Sequence, residues 1–172
     1  MSVEPKKWGV IYNPKAGTRK VKKRWKEIKE YMDSKGVDYD YVQSEGFGSV
    51  ERLAKILANN GYRTIVIVGG DGALNDAING IMLSDAEDKE NIALGMIPNG
   101  IGNDFAKYWG LSTEYKPAVD CIINHRLKKI DVATATSTTE TNTSVAISSM
   151  PLISDWEHES LKSPIRPDVS GG

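Results

Sequence analysis

The chain has 172 residues, of which 40% are hydrophobic and 26% charged, with a formal net charge of −1. This length favours one domain with its own core, and the charge balance excludes a global field that would draw nucleic acid. One cysteine, Cys121, excludes an internal disulfide, and neither the start MSVEPKKWG nor any later stretch has the apolar run of a leader or a membrane span, so a cytoplasmic protein is expected.

In chain order, Trp8-Gly9-Val10-Ile11-Tyr12 reads as a strand that runs into Asn13-Pro14-Lys15-Ala16-Gly17. Thr18 can cap a helix whose inward positions are Val21, Trp25, Ile28 and Met32, closed at Gly36. That helix carries Arg19, Lys20, Lys22, Lys23, Arg24, Lys26 and Lys29, with Glu27 and Glu30 interleaved. Residues 39–42 suit a second strand, with Ser44 in the loop behind it. Ser49 is placed to cap a helix with Val50, Leu53, Ala54 and Leu57 inward, ending at Asn59-Asn60-Gly61.

The next stretch is the most informative. Thr64, Ile65, Val66, Ile67 and Val68 form a β-branched run expected of a buried parallel strand. It stops at Gly69-Gly70-Asp71-Gly72, and Leu74, Ala77, Ile78, Ile81 and Met82 then recur at helical spacing. Residues 85–91 are a charged surface loop. Residues 92–97 form a fourth strand, leading into Pro98-Asn99-Gly100-Ile101-Gly102-Asn103-Asp104-Phe105-Ala106-Lys107, where a short helix begins. Pro117 suits the first turn of a helix to about residue 124. It holds Tyr115, Ala118, Val119 and Ile122, with Cys121 as a structural thiol and His125 at its end. Residues 127–133 suggest a further strand. Alternating strands and helices predict an α/β layered domain with a mainly parallel sheet flanked by helices.

Beyond Ala133 the composition changes. The stretch 134–144 is nearly all Thr and Ser, and Val145-Ala146-Ile147 reads as at most a short strand. Three prolines and a terminal Gly-Gly follow. The organisation expected is therefore a domain over 1–133 and, over 134–172, a Thr/Ser-rich irregular tail or the truncated start of a second domain. Trp156 is the counter-sign, because a large aromatic is unusual in a free tail.

Strand, glycine loop and helix N-terminus together hold phosphate, because glycines admit the anion and the first helical amides point at it. The carboxylate of Asp71 is out of place beside a phosphate unless Mg²⁺ lies between them or Asp71 positions the transferring group. The bland reading is a turn with a helix-capping aspartate. The GxG of the third loop is no dinucleotide fingerprint, since Phe105 stands where its last glycine should fall, and no glycine loop is followed by Lys-Ser or Lys-Thr. Neither His125 nor His158 has metal-ligand spacing with Cys121.

The three loops resemble the signatures NPxxG, GGDGT and GTGNDFAR of the diacylglycerol kinase catalytic-domain family of lipid kinases. Their order and spacing carry the resemblance over roughly residues 7 to 132. It implies an NAD kinase/diacylglycerol kinase-like fold and transfer of the ATP γ-phosphate to a lipid hydroxyl such as that of diacylglycerol, with Mg²⁺. By this resemblance Asp71 is the catalytic and metal-positioning residue. The nucleotide would lie along Asn13, Pro14, Gly17, Ser44, Gly69, Gly70, Gly72, Asn75, Gly100, Gly102, Asn103 and Asp104. The implied partners are nucleotide and a lipid substrate at a membrane surface, with no nucleic acid; self-association fits equally. In the family a β-rich second domain follows and supplies the acceptor side of the site. The chain is thus expected to be a truncated member, an excised first domain or a first domain with a foreign tail, and weakly active alone.

Two positions depart from the pattern: Ala73 replaces the Thr of GGDGT, and Ile101 that of GTGND. Each loses a hydroxyl worth about 1 to 3 kcal/mol, so nucleotide affinity could fall about ten- to a thousandfold. Sphingoid-base and ceramide kinases share these loops, and NAD kinase shares GGDG, though NPxxG with GNDFA favours the lipid branch. The rival from another class is a non-catalytic nucleotide-binding domain.

Overall fold

The computed structural model of the chain describes residues 7–14, 19–100, 102–137 and 143–153. Six strands form one sheet: β1 (Trp8–Tyr12), β2 (Tyr39–Gln43), β3 (Thr64–Gly69), β4 (Ala93–Pro98), β5 (Leu127–Ser137) and β6 (Thr143–Ile153), in the order β2-β1-β3-β4-β6-β5. The first four run parallel, β6 joins β4 in parallel through Leu94 and Leu152, and β5 closes the edge antiparallel to β6. The expected mainly parallel α/β sheet is the fold observed.

The β-branched runs are continuous because both faces of the central strands are covered. Every residue of β1, β3 and β4 is buried. Ile11, Ile65, Ile67, Leu94 and Met96 face helices α2 (Ser49–Asn59), α3 (Asp71–Met82) and α4 (Asp104–Tyr108). Val10, Tyr12, Val66, Val68 and Ile97 face α1 (Arg19–Ser34) and α5 (Tyr115–Asn124). The period of two along each strand thus sorts side chains into two cores. Helix α1 presents Trp25, Ile28 and Met32 to the second core, and the turn after it reaches Gly36 at φ +69. His125 closes α5 in the left-handed region at φ 50, as a C-terminal residue can. Cys121 is half-buried between the two cores.

Helices α2 and α3 touch through their backbones. A methyl group on Gly80 would stand 2.1 Å from the Glu51 carbonyl oxygen and 2.9 Å from the Ala54 methyl. Only a hydrogen fits there.

Two expectations change. Ser49 does not cap α2; Gly48 occupies the cap position at φ 72, without a side-chain bond. The Ser49 hydroxyl instead accepts from the amides of Glu45 and Gly46 (3.1 and 3.3 Å) and donates to the Gly46 carbonyl (2.8 Å), bracing the loop before the helix.

The second change concerns the irregular-tail alternative for the stretch from Thr134; the other alternative, the start of a second domain, is untouched by it. The residues of that stretch through Ile153, outside the span 138–142, form the outer part of the β5–β6 hairpin, paired from Leu127↔Ile153 to Ser137↔Thr143. Threonine is β-branched and favours extended backbone, so the stretch suits a paired strand. The apolar anchor comes at the end of β6, where Leu152 and Ile153 are fully buried. Trp156 and His158 lie outside the described residues.

Two substitutions test this packing. Gly80→Ala should lower stability by about 1–3 kcal/mol through overpacking of α2 on α3; an unchanged thermal midpoint would mean the helices separate freely. Leu152→Ala should cost about 2–5 kcal/mol in denaturant unfolding, whereas a dispensable tail would show no loss.

Candidate functional site

The strand order places a topological switch at β1. From its C-terminal end the chain leaves toward β2, while β3 lies on the other side, and α1 and α2 cover opposite faces. Ligand crevices in open parallel sheets form at such points. The loops that follow β1, β2, β3 and β4 all emerge at this edge. The first amides behind β1, β2 and β4 continue the ladder: Asn13 donates to the Val68 carbonyl, Ser44 to Tyr12 and Asn99 to Gly69, each at 2.9 Å.

Side chains then lock loop to loop. The buried Ser44 donates its hydroxyl to Asn13 Oδ1 at 3.0 Å, joining the loops after β2 and β1. Below them Tyr12 stacks on Trp25 with ring centroids 4.6 Å apart, and burial pushes its phenol pKa above the usual value. The β3 and β4 loops come closer still. A Cβ on Gly100 would stand 2.7 Å from Gly70 Cα, so glycine is required where the two backbones cross. Asn103, at φ 52, fastens the same loop: its Oδ1 accepts from the Gly100 amide and its Nδ2 donates to the Gly100 carbonyl, both at 3.1 Å.

Asp71 completes the arrangement. It is the first residue of α3, yet its carboxylate serves another helix: Oδ2 accepts from the Asp104 amide at 2.9 Å and Oδ1 from the Phe105 amide at 3.0 Å. The charge therefore lies between the amide-rich starts of α3 and α4, where helix dipoles favour it. The carboxylate that seemed misplaced beside a phosphate is held by backbone donors. A capping aspartate is what the geometry contains, though the helix it caps is 33 residues further on.

The structure thus brings together Asn13, Ser44, Gly69, Gly70, Asp71, Gly100, Asn103 and Asp104. Pro14 is half-buried beside them, and Asn75 is exposed one turn along α3 from Asp71. Gly72 faces open space: apart from its own helix and chain neighbours, no heavy atom of the described residues lies within 4 Å of where a Cβ would stand. At Gly102 a Cβ would lie 3.5 Å from Asp104 Oδ2 and 3.6 Å from Asp71 Oδ2, so two carboxylates flank that glycine. Gly17 and Ile101 lie outside the described residues. Ala73 is buried in the core beneath α3, so a threonine hydroxyl there would meet the turn rather than open solvent. Among the described residues no three His, Cys, Asp or Glu side chains converge on a metal position.

Sequence reasoning passed over Asn99. It is buried, and its Nδ2 has no hydrogen-bond partner among the described residues. A polar side chain directly after a strand of six buried residues was the available signal, since such groups are normally paired.

Residues 7–135 match the model of the diacylglycerol kinase catalytic domain, and the chain belongs to that family. A diacylglycerol kinase of Staphylococcus carnosus (strain TM300) is 32% identical over 123 residues, covering 72% of this chain and 39% of the relative. One from Staphylococcus haemolyticus (strain JCSC1435) is also 32% identical, with 72% and 36% covered. The chain spans about two-fifths of the length of these relatives. A crystal structure of a diacylglycerol kinase from Bacillus anthracis str. Sterne shares the fold at a TM-score of 0.66 and 24% identity, over 78% of this chain and 45% of that one.

Replacing Asp71 should disturb more than chemistry. Asp71→Ala strands two amides and should lower stability by about 1–3 kcal/mol, measured by chemical denaturation. Asp71→Asn keeps one carbonyl acceptor and should lose less; equal stability in all three proteins would refute the cap.

Proposed function

We propose that the chain is the nucleotide-binding part of an ATP-dependent lipid kinase that phosphorylates a lipid hydroxyl such as that of diacylglycerol. The observation carrying this reading is that the described residues of the three motif loops, Asn13 and Pro14 of the first among them, gather at one edge of the sheet beside its switch point. Family membership supports the reaction class. A kinase needs little covalent chemistry from protein, so positioning and electrostatics are the tasks to assign.

The residues present fit a magnesium nucleotide. The first-turn amides of α3 have no partners within the helix, and Gly72 leaves them uncovered. Asn99 Nδ2 is a spare donor beside the same loops. Asp71 uses one lone pair on each carboxylate oxygen for α4, and the remaining pairs can take a cation. Mg²⁺ held by Asp71, with Asp104 beside it, would neutralise phosphate charge and polarise the phosphorus. Asn13 and Ser44 hold the shape of the first loop; Gly70, Gly100 and Asn103 hold the other two in register.

The lipid acceptor implies work at a membrane surface. No helix among the described residues is long and apolar enough to cross a bilayer, so access from the surface is the route we assign. Lys20, Lys22, Lys23 and Lys26 of α1 are exposed there. Arg24 is spent on structure, donating to the Thr113 carbonyl at 2.9 Å and lying over Tyr115.

The test pairs binding with transfer. Calorimetry should detect Mg-ATP binding to this chain and its loss without Mg²⁺. In a protein of the relatives' full length, Asp71→Asn should lower transfer to diacylglycerol by about a hundredfold or more. Preference for sphingosine, ceramide or NAD in the same assay would reassign the acceptor, and near-normal turnover of the variant would leave Asp71 as a cap alone.

A further inference from the structure

The loop between β2 and α2 holds a feature that nucleotide binding does not use. Phe47 is fully exposed, at 101% of its reference area, whereas most apolar side chains of this size in the described chain are covered. The loop that carries it is firmly built. Ser44 ties one end to Asn13, and Ser49 gathers the amides of Glu45 and Gly46 and the Gly46 carbonyl. The Ser49 amide also donates to Gly46 and the Arg52 amide to Gly48. Gly46 and Gly48 flank the phenyl with open space around both. A braced loop thus holds one large apolar side chain out in solvent, at the rim of the candidate site.

Its surroundings identify what would cover it. Strand β2 is the sheet edge, and Tyr41 on it is half exposed. Lys29 of α1 stands over the Tyr41 ring at 5.0 Å. Lys22 and Lys26 continue that helical stripe toward the N-terminus of α1, which lies at the same end of the sheet as Phe47. Lys26 has Glu30 at 3.8 Å, and Glu45, Glu51 and Arg52 border the loop itself. An apolar tip, an aromatic collar with a polar end and a flank of lysines match the layers of an anionic bilayer surface. A nucleobase stacked on Phe47 would cover one ring face and meet no opposing wall, so a lipid surface buries more of the ring.

We propose that Phe47 is an insertion point that seats the β2 edge of the domain on anionic membrane and brings the loop edge to its lipid. This rests on the lipid-acceptor reading. The test uses the purified chain with vesicles of mixed phosphatidylcholine and phosphatidylglycerol, and with phosphatidylcholine alone. Co-sedimentation should show binding to the mixed vesicles, weakened about tenfold by Phe47→Ala and restored by Phe47→Leu. Lys22→Glu with Lys26→Glu should abolish the preference for phosphatidylglycerol. Calorimetric Mg-ATP affinity without vesicles should be unchanged by Phe47→Ala. Vesicle binding indifferent to Phe47→Ala, or absent from the starting chain, would overturn the proposal, and so would weakened nucleotide binding in Phe47→Ala, which would make Phe47 a base platform. If the chain binds vesicles through Phe47 but binds no nucleotide, the kinase reading fails while the insertion point stands.

Discussion

The carboxylate of Asp71 ties the start of one helix to the start of another across two loops. It opens α3 and closes its two oxygens on the amides that open α4. Two helix starts pointing at one region would repel through their partial positive charges, and a shared anion removes that conflict. The closeness it enforces explains the glycines around it. Gly100 crosses Gly70 with no room for a Cβ of its own, and Asn103 adopts a left-handed backbone so that its side-chain amide can fold back on Gly100. Removal of the charge would loosen the loops to which we assign the phosphate.

That clamp works only because the sheet delivers both loops to one edge. Parallel strands require crossovers, and each crossover returns the chain to the same end. With β1 between β2 and β3, the first two crossovers cover opposite faces and leave the edge between them open. Buried β-branched strands fix the register from below. The loops above can then be polar, glycine-rich and close together without a core of their own.

Charge on α1 shows how packing redistributes what composition lists. Seven cations on one helix suggest a uniform basic surface. In the fold Arg24 is bound to the start of α5 and Lys29 lies over Trp25 and Tyr41, while Lys23 and Lys26 have Glu27 and Glu30 one turn on. Lys22, Lys26 and Lys29, four and three positions apart, form one stripe of the helix, and its Lys29 reaches Tyr41 of β2. Phe47 acquires meaning only beside that stripe, because an isolated exposed phenylalanine is ordinary.

From residues alone, the strands β1 to β4, the helices between them and the three loops were legible, because hydrophobic periodicity and glycine punctuation are local signals. The family resemblance was legible for the same reason. Local signals left open the stretch after Ala133, where the partner of each strand is another strand and the apolar anchor, Leu152 and Ile153, comes late. They also misassigned Ser49 and gave no target for the Asp71 carboxylate. Only the tertiary structure decided that Asp71 caps α4, that Gly70 must meet Gly100 and that Asn99 is left with a donor unpaired among the described residues. The physical reason is that sequence fixes which backbone conformations each residue favours, while hydrogen-bond partners 33 positions apart are chosen by how the sheet brings loops together.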